Sequence, residues 1–96
     1  MMKMYNPPHP GEFIREVYLE PYNLSIRFVA AKLKVSTSTL SRLIKGQSNI
    51  SSEMALRLSK TFGRTPESWL HMQNNYNLWQ AQQNINLEKV EKLTFA

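Results

Sequence analysis

The sequence predicts an all-α domain of five helices organised around a helix-turn-helix, and three observations lead there. Residues 26–45 read IRFVAAKLKVSTSTLSRLIK, two short apolar stripes separated by a run of serines and threonines. Helix start and stop residues recur along the chain at helical spacing: Ser25, Ser36, Ser51 or Ser52, and Thr65 as N-caps, with Gly46 and Gly63 as stops. Basic charge is concentrated on the same stretch. From Ser25 to Arg64 the bases are Arg27, Lys32, Lys34, Arg42, Lys45, Arg57, Lys60 and Arg64, against the single acid Glu53. A polyanionic partner is the expectation such a segment raises.

Helix one is expected to start at Pro10, where a proline loses no needed N–H. Phe13, Ile14, Val17 and Tyr18 form its buried stripe, and Glu20–Pro21 stops it. Met1–His9 before it reads as a flexible arm. Ser25 caps helix two, Ile26–Leu33, where the small Ala30 suits a steep crossing with its neighbour. Helix three follows from about Thr37 to Lys45, with Ser36 as cap and Leu40, Leu43 and Ile44 inward. Helix four, after the loop Gln47–Ile50, turns Met54, Ala55, Leu58 and Phe62 inward. Thr65-Pro66-Glu67 opens helix five with a threonine cap, a first-position proline and an acid in the first turn. It runs to roughly Gln83 and carries Trp69, Met72, Tyr76 and Trp79 on one ridge. The domain is thus read as residues 10–85, with a tail at 86–96. The tail's VEKLTF alternates weakly, setting Leu93 and Phe95 on one side. A short strand paired with another chain, a frayed end and a continuing helix are all compatible with it.

Composition removes several function classes. The chain has 96 residues, a net charge of +5 and no cysteine, so disulfides and thiolate metal sites are excluded and a cytoplasmic setting is expected. No apolar run approaches the ~20 residues of a membrane span, and the start carries no apolar leader. An enzyme reading is weak. There is no aspartate, the only histidines are His9 and His71, and neither has a metal-ligand partner three or four residues away. They read as surface or helix-cap histidines, and no metal or cofactor is expected. Gly11, Gly46 and Gly63 read as helix punctuation rather than a phosphate loop.

The face of helix three opposite the core carries Thr37, Ser38, Ser41, Arg42 and Lys45. Near the helix start, Thr37 and Ser38 are placed to reach base edges, their hydroxyls donating or accepting and the threonine methyl meeting a thymine methyl. Arg42 and Lys45, a turn or two later, suit phosphate, and Ser25, Arg27 and Ser36 beside them join the same candidate DNA-binding set. Gln47, Ser48 and Asn49 in the next loop can reach backbone or a base edge.

At this point the residues resemble a known family. Leu24–Ile50 looks like the Cro/lambda-repressor-like helix-turn-helix. HPGEFIREVYLEPYNLS at 9–25, SRLIKGQSNISSEMALRLSKTFGRTPESWLHMQ at 41–73 and YNLWQAQ at 76–82 are similar to HigA-type antitoxins. The resemblance implies a five-helix, lambda-repressor-like dimer that binds an inverted-repeat operator. It also implies repression of the protein's own operon and neutralisation of a small basic ribonuclease toxin of RelE-like fold. Two positions depart from the family pattern: Ile26 stands where a glutamine is usual, and Lys34 where the turn usually has glycine. Ser25 or Arg27 would take over the missing polar contact. The aromatic surplus at Tyr76 and Trp79, with Leu93 and Phe95, marks an expected dimer interface. Glu12, Glu16 and Glu20 step by four along helix one and mark an expected toxin-docking ridge, with Tyr5, Pro7 and Pro8 adding contact. A plain repressor without toxin, or an interaction module that does not bind DNA, remains an alternative reading.

Overall fold

Helix one begins where the sequence says it should, but it does not stay α-helical. In the computed structural model, which describes residues 6–95, α1 (Pro10–Ile14) passes directly into a π-helical turn, Arg15–Leu19. The remaining helices are α2 (Ile26–Leu33), α3 (Thr37–Ile44), α4 (Ser52–Phe62) and α5 (Pro66–Asn84). The five-helix, all-α expectation is met, and no strand occurs among the described residues. The part of the expected arm at Met1–Tyr5, with the Tyr5 contact, lies outside these residues.

The π turn has a local cause. The Pro21 ring has no N–H to offer and would press on the carbonyl one α-turn earlier. Widening to i→i+5 bonding, seen in Glu20 N–H to Arg15 carbonyl at 2.9 Å, relieves that pressure. The extra residue shifts the buried stripe. Leu19 is buried, while Val17, expected inside, is 41% exposed. The helix closes past Pro21 at Asn23, which takes the left-handed conformation with φ 54°.

N-capping follows the sequence closely. Ser25, Ser36, Ser51 and Thr65 each accept the backbone N–H three residues on, at 3.0–3.1 Å. Gly46, at φ 76°, ends α3 with the Gln47 N–H reaching back to the Arg42 carbonyl.

The core gathers Ile14, Leu19, Val29, Ala30, Leu33, Leu40, Leu43, Ile44, Ile50, Ala55, Leu58 and Trp69. Full burial of each large member contributes roughly 1.5–3 kcal/mol. Ala30, the small residue expected at the crossing of α2 and α3, is buried in the core, and Gly11 allows the close approach of α1 and α3. A β-carbon at Gly11 would fall on the Leu43 carbonyl and within 2.9 Å of the Ile44 Cα. Gly11 is therefore not punctuation: it lets α1 lie directly on the backbone of α3. An aromatic wall of Phe13, Tyr18, Phe62 and Trp69 closes one side, with Tyr18 stacked on Phe62 at 4.3 Å. The Trp69 indole N–H donates to the Gly63 carbonyl.

Asn6–His9 continue against the domain: Pro7 is buried, and His9 is 5% exposed. His9 caps α1, its Nδ1 accepting the Gly11 N–H at 2.9 Å, and its ring meets Tyr76 edge-on at 4.9 Å. At the other end the chain leaves the core. Residues 81–95 are exposed throughout. The radius of gyration is 16.5 Å, against about 12 Å for a compact chain of this length.

A candidate nucleic-acid interface

The helix expected to meet DNA is anchored on one face and bare on the other. Leu40, Leu43 and Ile44 are at most 7% exposed. Thr37, Ser38 and Arg42 are exposed, as is Lys45 at the helix end, and Ser41 is half-buried. The Ser36 hydroxyl is committed to the cap: it accepts the Thr39 N–H and donates to Thr39 Oγ1 at 2.8 Å. It also lies 3.4 Å from Ser38 Oγ. The Thr37 hydroxyl enters no hydrogen bond among the described residues, and Ser38 keeps most of its bonding capacity.

Beside α3, Ser25 caps α2 and Arg27 is exposed. Ile26, the departure from the family pattern, packs against the core. Arg27, Arg42 and Lys45 enter no ion pair among the described residues. Their charge is open to a polyanion.

Not every base of the segment is equally free. Arg57 pairs with Glu53 at 2.7 Å and donates to the Leu33 and Lys34 carbonyls. The Arg64 guanidinium lies over Phe13 at 5.0 Å and Trp69 at 5.7 Å. Lys32 lies over the Phe28 ring. The charge census alone counted all three with the rest.

The loop after α3 is held from below by a residue that sequence reasoning missed. Gln73 on α5 is 3% exposed. Its Oε1 accepts the Ile50 N–H at 2.8 Å, and its Nε2 donates to Asn49 Oδ1 at 3.2 Å and to Asn77 Oδ1 at 3.1 Å. One amide therefore joins α5 to the segment of Gln47, Ser48 and Asn49. The signal was faint: a glutamine four residues after Trp69, on the same helix face. Gln47 and Asn49 are exposed and Ser48 is half-buried. The Asn49 oxygen is engaged inside the chain.

His9 lies beside Gly46, just before this loop. Burial lowers its pKa below the ordinary 6.5, opposed by the Ser48 backbone and the Glu12 carboxylate. With Nδ1 accepting from Gly11, the ring proton of the neutral form lies on Nε2. That atom is buried, and the Ser48 backbone near the ring stays outside hydrogen-bond geometry to it.

Tyr76 and Trp79 are half-buried, and Leu93 and Phe95 are 71% and 84% exposed. Tyr76 is partly satisfied within the chain, its hydroxyl accepting from Gln80 at 2.7 Å. The exposed apolar residues Leu78, Ile85, Leu87 and Val90 extend the same projecting end. Glu12, Glu16 and Glu20 are all exposed. They do not form a free acidic ridge, because Arg15 contacts both Glu16 and Glu20 at 3.4 Å. The π turn sets Arg15 over Glu20, a pairing that an α-helical projection does not give. Among the described residues no group of three His, Cys, Asp or Glu side chains gathers as a metal site, and no helix is long and apolar enough to cross a membrane.

Comparison with known proteins agrees with this geometry. Residues 14–70 match the helix-turn-helix family. The chain is 37% identical over 92 residues to the HTH-type transcriptional regulator YddM of Escherichia coli K12, covering 96% of this chain and 97% of that protein. Among solved structures it resembles antitoxin GraA at a TM-score of 0.88 and 34% identity, covering 94% of this chain and all of that one. GraA in complex with its operator gives a TM-score of 0.87 at 32% identity, over 99% of each chain. An addiction-module antidote protein of the HigA family from Coxiella burnetii gives 0.83 at 32% identity, over 94% of this chain and 100% of that one.

Proposed function

The chain belongs to the helix-turn-helix family, and we propose that within it the protein is an antitoxin that binds operator DNA as a two-fold dimer in the cytoplasm. The observation that carries this is α3: one face locked into the core, the other presenting Thr37, Ser38, Ser41, Arg42 and Lys45 to solvent. Such a helix enters the major groove with its first turn at the base edges and its basic end at phosphate. The likeness to GraA, whose structure is known with its operator, supports the same use. Binding is stoichiometric and involves no catalysis.

The dimer is assigned to the projecting end, where Trp79, Leu93 and Phe95 leave apolar surface that a lone chain does not cover. Tyr76 lies at the root of this end. Two recognition helices then meet an inverted repeat with half-sites about one helical turn, ~34 Å, or a multiple apart. Through this contact the protein represses its own operon.

The second partner is a small basic ribonuclease toxin of RelE-like fold, neutralised by direct binding. This chain is itself basic at +5, so attraction needs a local acidic or apolar surface. Glu12, Glu16 and Glu20 supply one, reduced by Arg15.

A gel shift on the protein's own promoter against scrambled DNA tests the operator. Co-expression with the adjacent small gene, followed by pull-down and a growth assay, tests the toxin. Operator binding without complex or rescue would leave a plain repressor, and no preference for the promoter would leave an interaction module.

A further inference from the structure

The turn between α2 and α3 is built on a residue ill-suited to it. Lys34 has φ 61° and ψ 42°. The Val35 N–H bonds to the Ala30 carbonyl and the Lys34 N–H to the Ala31 carbonyl. This is the helix-ending motif in which glycine is preferred, because a β-carbon strains the left-handed conformation. The turn also fixes α3 relative to α2, since Lys34, Val35 and Ser36 are all that join them.

Arg57 meets this turn from α4. Its Nη1 donates to the Leu33 carbonyl at 2.8 Å and to the Lys34 carbonyl at 3.3 Å. The other edge of the same guanidinium donates to Glu53 Oε2, from Nη2 at 2.7 Å and Nε at 3.2 Å. Glu53 thus fixes the plane of the fork, and the remaining nitrogen reaches the end of α2, where a positive charge is favoured by the helix dipole. Only a planar, multi-donor cation serves both sides at once; an ammonium does not.

We propose that Arg57 is a positioning residue for DNA recognition: it clamps the left-handed Lys34 turn and so sets the recognition helix α3, replacing what glycine would supply at that turn. The inference rests on the operator-binding reading above. Arg57 acts through the turn and does not touch phosphate.

The test compares Arg57→Met and Arg57→Lys with the full-length protein, each alone and with Lys34→Gly. Operator affinity is measured at several salt concentrations and below every variant's melting onset, and Val35 amide hydrogen exchange is followed in parallel. Both single Arg57 variants should bind the operator about tenfold more weakly, the size of one charge-assisted hydrogen bond. Their salt slope should stay unchanged and their Val35 amide should exchange faster. With Lys34→Gly in place, the loss on Arg57→Met should shrink to less than about threefold, and Val35 protection should return. Wild-type behaviour of Arg57→Lys would overturn the clamp by showing that charge alone suffices. A salt slope shallower by about one would overturn it by marking a phosphate contact. An undiminished loss in the glycine background would sever it from the turn. Should the wild-type protein show no operator preference, the operator reading fails separately. Val35 exchange then still decides the clamp: acceleration in Arg57→Met with recovery in the double variant upholds it, and unchanged exchange refutes it.

Discussion

Replacing Gln73 with leucine removes one amide and leaves its volume nearly filled, so the change isolates the polar tether beneath the loop after α3. The Ile50 N–H, on a residue 6% exposed, has the Gln73 oxygen as its partner at 2.8 Å. Stranding a buried donor costs about 1–3 kcal/mol. The bonds to Asn49 and Asn77 reach exposed residues, whose freed oxygens regain water. They add a few tenths of a kcal/mol at most, and the added apolar contact offsets part of the total. A net loss of about 2 kcal/mol is expected, which for a domain of this size lowers Tm by about 8–16 °C. Circular-dichroism melts of Gln73→Leu and of Asn77→Ala provide the comparison. The asparagine variant removes one of the same bonds at the exposed end and should stay within about 0.5 kcal/mol of the parent. Amide exchange at Ile50 should accelerate in the leucine variant. A Gln73→Leu protein that melts within 2 °C of the parent, or above it, refutes the claim that this amide holds the loop.

Three other outcomes are expected. Thr37→Ala and Ser38→Ala should each relax operator preference by roughly 1 kcal/mol, whereas Arg42→Ala and Lys45→Ala should weaken binding to all sequences and each make the salt slope shallower by about one; competition titrations with operator and random DNA separate the two patterns. His9 has its pKa lowered below 6.5 by burial, so the unfolded chain takes up a proton before the folded one. The stability it contributes is complete above pH 6.5 and is lost as pH falls toward the lowered folded value. Melts across pH 5–7.5 should show this slope, and His9→Asn, which keeps a capping side chain without a titrating group, should flatten it. Trp79→Lys, or deletion of residues 87–96, should shift the protein toward monomer in sedimentation, and a variant that stays fully dimeric removes that end from the interface.

What could be read from the sequence was what depends on neighbours along the chain. Ser25, Ser36 and Thr65 cap helices because a hydroxyl reaches an N–H three residues away, whatever the rest of the fold does. Leu40, Leu43 and Ile44 define the bare face of α3 by their spacing alone. The π turn was not legible, because it answers the steric demand of Pro21 in a segment whose apolar pattern also fits an ordinary helix. Gly11 was misread for a related reason: only the backbone of α3, brought against it by the fold, makes a β-carbon intolerable there. Arg57 and Arg64 look like DNA-facing cations in a charge count. Whether a guanidinium meets water, a carbonyl or a ring is decided by tertiary contact. Gln73 is one of many polar residues on α5, and its burial follows from the loop folding over it. The tail is exposed along its described length, so its weak alternation has no buried face to fix a conformation.

If α3 and its basic flank bind operator DNA, that binding must weaken steeply as salt rises. Fluorescence anisotropy titrations of labelled promoter and scrambled duplexes between 50 and 300 mM salt give the slope of log K against log salt. With ~6 phosphates neutralised, the slope should be about −5, with the promoter bound at least ~10³-fold more tightly than the scrambled duplex. A flat salt response, or equal affinity for the two duplexes, would rule out operator recognition by this face.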